Sequence, residues 1–257
     1  MIRAIVNGDD FGINENVNRA ITECFERRIL TGTTLMVNMP RAREAAELAH
    51  RYGFAEMVGL HLNLTSGRPL TTPIRSCRRF CRKGGRFNAY FQQHTLTRLS
   101  ISRREREAVA IEIEAQIRRY LSFGLPERHL DSHHHVHTDR SIMRELMPLL
   151  MKYNFHSIRL TRNLFQQMGF LKRVYKKNFN GNLKKSGLIT TDYFGSYQDL
   201  LQMGDELPDN ALVEIMLHPM YGPNGRLMDT KTPISEVSLL LASLNAELQA
   251  YPVVKDD

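Results

Sequence analysis

The chain has 257 residues, 42% of them apolar, with 35 Lys and Arg against 27 Asp and Glu for a net charge of +8. That length can bury a full core, and α/β barrels of this size commonly form one unit. Three cysteines cannot build a disulfide framework, no apolar run reaches the roughly 18 residues that span a bilayer, and Met1 to Val6 lacks a signal-peptide pattern. A cytoplasmic protein with no membrane partner is therefore expected.

Residues Ile2 to Asn7 are apolar and β-prone and run into Gly8-Asp9-Asp10-Phe11-Gly12, which reads as a strand followed by a loop. Asn14 is a candidate N-cap for a helix carrying Val17, Ala20, Ile21 and Phe25 at helical spacing. Thr33 to Val37 reads as a strand, Arg41 to Tyr52 as a helix stopped near Gly53, and Met57 to Leu64 as a strand carrying His61. From 65 to 101 periodicity is lost, which predicts a loop insertion such as a lid. Ser102-Arg103-Arg104-Glu105 is a capping-box pattern opening a helix through Ala108, Ile111, Ala115 and Leu121. The segment His129 to His137 reads as a strand end, followed by a helix from about Ser141 to Tyr153. Ser157 to Leu160 is a short strand, and 161 to 187 a basic, irregular second insertion. Ala211 to Leu217 is an apolar strand leading into His218-Pro219, and Ile234 to Leu248 a closing helix. Repeated βα units without hairpin signals predict a parallel sheet, closed or distorted into a (β/α) barrel, in a single domain over 1–257.

Five of the ten histidines fall in His129-Leu130-Asp131-Ser132-His133-His134-His135-Val136-His137. Imidazole with carboxylate is a common ligand set for transition metals. His133 and His137 share a face whether the segment is helical or extended. Asp9, Asp10, His61, Asp131, His133, Arg159 and His218 all lie at predicted strand ends, which in a (β/α) barrel open onto one face. Each has a bland reading alone, as a turn cap or a satisfied core histidine. Their joint placement suits metal-assisted hydrolysis: one carboxylate and two histidines as ligands, a second carboxylate as general base, a further histidine as general acid.

Four stretches, Asn7-Gly8-Asp9-Asp10-Phe11-Gly12, Val58-Gly59-Leu60-His61-Leu62-Asn63-Leu64-Thr65, His129 to His137 and Glu214-Ile215-Met216-Leu217-His218-Pro219, together resemble the YdjC-like carbohydrate deacetylases, which take in chitooligosaccharide deacetylases and HpnK-like proteins. The resemblance spreads over nearly the whole chain. It implies a polysaccharide-deacetylase-like distorted barrel, a divalent metal, and removal of an N-acetyl group from an N-acetylated sugar or oligosaccharide with release of acetate. It implies Asp9 as catalytic base, His218 as general acid, and Asp10, His61 and His133 as metal ligands. Arg159 and Asp131 are carried as orienting or substrate-binding residues, and His137 as a second candidate because related deacetylases use a His-x-x-x-His pair. The family is described with magnesium, whereas two imidazoles and a carboxylate favour zinc or another transition metal. The two insertions do not resemble the diacetylchitobiose enzyme, so the sugar is open, and their basic residues would suit an anionic or nucleotide-linked one.

Two alternatives compete. A metal-dependent phosphoesterase would need a two-metal cluster with more bridging carboxylates. A basic nucleic-acid-binding protein is suggested by the charge, but the runs Arg75 to Arg86 and Arg98 to Arg106 lack regularly interleaved aromatics and read as solvated faces. No nucleic-acid partner is expected, and a homodimer is left open.

Overall fold

The first strand, β1 (Arg3–Phe11), is buried along nearly its whole length, as expected of a strand covered on both faces. The computed structural model describes residues 1–94, 98–164 and 169–252. Within them β1 is flanked by β2 (Gly32–Leu35) and by β7 (Leu212–Leu217), in a parallel sheet of order β5-β4-β3-β2-β1-β7-β6. The other members are β3 (Val58–Leu62), β4 (His129–Ser132), β5 (Ser157–Ile158) and β6 (Tyr193–Ser196). Between β5 and β6 there is no continuous ladder among the described residues: the links are a parallel bridge from Ser157 to Ile189, the amides of Asn163 and Leu164 donating to the Phe194 carbonyl, and bonds of the Asn163 side chain to the Phe194 amide and the Asp192 carbonyl. The sheet is thus a curled, incompletely laced barrel, and the expected distorted (β/α) architecture is what the chain adopts.

The helices between strands form for the reasons their sequences give. Asn14 accepts from the Val17 amide at 2.9 Å and caps Glu15–Glu26. Ser102 and Glu105 close a reciprocal capping box on Arg103–Leu121. That helix also carries Glu112, fully buried, whose carboxylate accepts from the Leu70 and Thr71 amides, the Thr71 hydroxyl and Gln116. Glu112 thereby ties the first insertion down. Its described part is packed around Ile74, Phe80 and Phe91, with Phe80 and Phe91 stacked at 4.7 Å, rather than spread as an open loop.

Several elements, β6 among them, depart from expectation. β1 continues through Gly8 to Phe11, because the aspartates are built into the strand instead of a following loop. The second insertion contains a 16-residue helix, Phe170–Lys185, whose exposed apolar residues blur its periodicity. The closing helix stops at Ser243, and Glu247–Leu248 pairs with the start of β1. After His218 a small antiparallel sheet of Pro219–Tyr221, Leu227–Asp229 and Thr232–Pro233 follows, too short to leave an alternating pattern. No described helix is long and apolar enough to cross a membrane.

Candidate active site

Adjacent residues of a regular strand point to opposite faces, yet Asp9 and Asp10 both serve one mouth. The cause is an irregularity: the register of β1 against β2 shifts between Gly8 and Phe11, and Asp10 takes a left-handed φ of 67°. Asp9 stays in the interior while Asp10 turns towards the histidines of neighbouring strands.

Asp10 Oδ1 lies 2.7 Å from His133 Nδ1 and 3.2 Å from His61 Nε2. His61 sits on β3, and its other nitrogen faces Asp131 Oδ1 on β4 at 2.6 Å, with the Thr34 hydroxyl at 3.0 Å. Burial alone would push the His61 imidazole down, but Asp131, Asp10 and Asp9 raise it to about 10. For Asp10, burial is outweighed by the same two imidazoles, which hold its carboxyl far below the ordinary range. The pocket thus draws positive charge towards Asp10.

Asp9 is held differently. The Arg159 guanidinium grips it with both Nη atoms at 2.7 Å each, and the Asn7 amide donates to it at 2.8 Å. Arg159 is itself fully buried, just beyond β5, and also meets Asp131 Oδ2 at 2.7 Å and Glu214 Oε1 at 2.5 Å. Burial would discourage its charge, yet the carboxylates of Asp131, Asp9 and Glu214 keep it firmly protonated. In turn it outweighs the burial of Asp9 and keeps that carboxyl ionised.

Three clusters among the described residues bring ligand atoms within 4.8 Å of one another: Asp10, His61 and His133; Asp9, His61 and Asp131; and His129, Asp131 and Glu214. The second and third draw on carboxylates that Arg159 already neutralises. The first alone is free of the guanidinium, is partly open at Asp10 and His133, and has a carboxylate behind an imidazole, the arrangement that orients metal-ligating histidines. Its two imidazoles and one carboxylate fit a divalent ion with coordination positions left over.

His137 does not join this cluster. Its Nε2 donates to the Arg159 carbonyl at 3.1 Å, so its Nδ1 accepts from the Ser132 hydroxyl at 2.5 Å. The four-residue spacing fails because His134 and His135 both adopt φ of 55°, neither helical nor extended, which turns His137 into the interior. His137 acts instead as a prop under the Arg159 backbone. His218 follows β7, half-exposed; its amide donates to Asp229 Oδ1 at 2.7 Å, and its ring Nδ1 lies 4.0 Å from the same oxygen.

Glu214, Tyr251 and Asp229 entered the sequence reading without a role. Glu214 had a signal, a lone carboxylate inside the apolar run Leu212 to Leu217, and it accepts from the Tyr251 hydroxyl at 2.7 Å. Asp229 had none, since only the small antiparallel sheet brings it to His218.

Comparison with known proteins agrees with the fold and with the family resemblance of the sequence. The family described as YdjC-like protein matches residues 3–250. A carbohydrate deacetylase of Halalkalibacterium halodurans is 33% identical over 86% of each chain. A chitooligosaccharide deacetylase of Yersinia pestis is 31% identical over 84% of this chain and 81% of its own. A crystal structure from Enterococcus faecalis V583, described as a candidate cellobiose-phosphate cleavage protein, superposes with a TM-score of 0.74 over 97% of both chains at 23% identity, and so speaks for the fold. With a barrel of this topology, these motifs at its mouth and relatives over most of its length, the chain belongs to the YdjC-like protein family.

Proposed function

We propose that the protein is a metal-dependent carbohydrate N-deacetylase, hydrolysing the acetamido group of an N-acetylated sugar to acetate and a free amine. The observation that carries this reading is the separation of two neighbouring carboxylates into two environments. Asp9 is clamped by Arg159, whereas Asp10 faces His61 and His133. Relatives named carbohydrate and chitooligosaccharide deacetylases support the reaction class.

Asp10, His61 and His133 would hold the ion, which when bound supplies Lewis acidity at the amide carbonyl and acidifies the attacking water. Their donor set suits zinc or a similar transition metal and admits magnesium less well. Asp9, ionised and fixed by Arg159, accepts the proton of that water. His218, at the end of the strand next to β1 and with Asp229 beside it, delivers a proton to the departing amine. Arg159 orients Asp9, and Asp131 orients His61. The buried Arg159 occupies the place among Asp9, Asp131 and Glu214 where a two-metal phosphoesterase would need its second cation.

Acetate release from a panel of N-acetylated sugars, neutral and anionic, measured with metal chelated and then restored, tests the reading. Activity that is lost on chelation and returns with one equivalent of ion is the expected result. Full activity in the chelated enzyme would remove the metal from the mechanism.

A further inference from the structure

The positive charge of this chain is segregated. Residues 57–104 contain ten Lys or Arg and residues 161–191 seven, and neither stretch contains an Asp or Glu. The remainder, with 18 cations against 27 carboxylates, is net acidic. Both stretches include the segments that leave the carboxyl ends of β3 and β5, so the cations gather on the side of the mouth that those two strands serve.

The same side exposes apolar side chains. On the helix Phe170–Lys185, Phe170 is 75% and Leu171 83% exposed, with Val174 exposed beside them, and Leu99 of the first insertion is 65% exposed. The helix buries Asn180 and Leu183. At 100° per residue, Phe170, Leu171 and Val174 fall on its outward side, in the first turns, while Tyr175, Lys176 and Asn180 hold the helix to Thr138, Arg162 and Thr161, which follow the ends of β4 and β5. Lys172, Arg173 and Lys177 are exposed around them. A groove lined by Leu99, Ile101, Arg106, Arg140, Arg144 and Tyr175 joins the two insertions.

We propose that this rim docks on the surface of an anionic lipid bilayer, with Phe170, Leu171 and Val174 entering the headgroup layer and the surrounding Lys and Arg meeting lipid phosphates. An outward apolar wedge bordered by the exposed cations Lys172, Arg173 and Lys177, in a stretch of chain without Asp or Glu, is the pattern of interfacial attachment. A nucleic acid or a free anionic sugar would use the cations alone and leave Phe170 and Leu171 in water. The absence of a membrane partner expected from composition rested on the lack of a spanning segment, and peripheral docking needs none. The inference stands apart from the deacetylase reading, since its readout is lipid binding and not hydrolysis.

Co-sedimentation of the full chain with vesicles of phosphatidylcholine, or of phosphatidylcholine containing phosphatidylglycerol as a minority lipid, tests it. The protein should pellet with the anionic vesicles and stay in solution with the neutral ones. The double variant Phe170→Ser/Leu171→Ser should partition roughly tenfold less or weaker still, and Lys172→Glu/Lys177→Glu should lose at least roughly as much. Thermal unfolding midpoints check that both variants fold, and the charge-reversed pair at exposed positions carries the test if the serine pair does not. Failure to bind anionic vesicles, or equal pelleting with both lipids, overturns the proposal. So does anionic binding that neither double variant weakens, or that the serine pair leaves intact while single-stranded RNA competes it away, which would mark a bare polyanion site.

Discussion

Asp131 Oδ1 lies 2.6 Å from His61 Nδ1, while Oδ2 of the same carboxylate lies 2.7 Å from Arg159. One buried side chain thus orients both His61, the proposed metal ligand, and Arg159, which holds the proposed base Asp9. The metal side of this arrangement depends on charge, because a carboxylate behind an imidazole raises its basicity towards the ion. Asp131→Asn keeps an acceptor and loses the charge. It should weaken metal binding by roughly tenfold to a hundredfold, measured by competition against a chelator. Unchanged affinity would show that His61 is oriented by Thr34 alone.

Asp9 and Asp10 should separate cleanly by mutation. Asp9→Asn retains the geometry around Asp10, His61 and His133, and should retain stoichiometric metal while acetate release falls by roughly a hundredfold to ten-thousandfold. His61→Ala and His133→Ala should lose metal together with activity. Metal content by atomic emission beside acetate release distinguishes the two classes. A fully active Asp9→Asn chain would strip Asp9 of its role as base.

Much of this site was legible in the sequence because its residues sit at strand ends, and a strand is readable from a short apolar run. Asp9, Asp10, His61, His133 and Arg159 come to the same mouth for that reason. What the sequence concealed was backbone geometry of single residues. The left-handed turns at Asp10, His134 and His135 decide which face each side chain takes, and no periodicity reports them. They send Asp10 to the histidines and withdraw His137 from them. The same limit hid β6 and the sheet that presents Asp229, whose strands are four residues or fewer. The helix Phe170–Lys185 was missed for another reason: its apolar residues face outward, so the pattern that marks a buried helical stripe is diluted.

Tyr251 lies far along the chain from the mouth residues but supports them from beneath. Its hydroxyl donates to Glu214 Oε1 at 2.7 Å, its ring stacks on His129 at 3.6 Å, and Glu214 in turn accepts from Arg159 Nε. Tyr251→Phe keeps the stack and removes one donor to a buried carboxylate. It should destabilise the fold by about 1–3 kcal/mol, read from urea unfolding. Acetate release should fall less than about tenfold, because Arg159 still clasps Asp9 through both Nη atoms. Wild-type stability in Tyr251→Phe would mean the hydroxyl contributes nothing to holding Glu214.

His137 gives the pH dependence of stability a sign that one variant can isolate. Burial, with the Arg159 charge nearby, pushes this imidazole down to about 3, so the fold keeps it neutral. The unfolded chain takes up a proton there near the ordinary value of about 6.5. Unfolding therefore binds a proton between those limits, and the stability owed to neutral His137 is full above about 6.5 and lost progressively as pH falls towards 3. His137→Gln keeps a donor for the Arg159 carbonyl and cannot titrate. The stability difference between wild type and His137→Gln should shift against the wild type by up to about 1.4 kcal/mol for each pH unit below about 6.5. Urea unfolding of both chains between about pH 7 and 5 measures it, and a difference that stays constant across that interval would show that His137 is protonated in the fold as readily as in the unfolded chain.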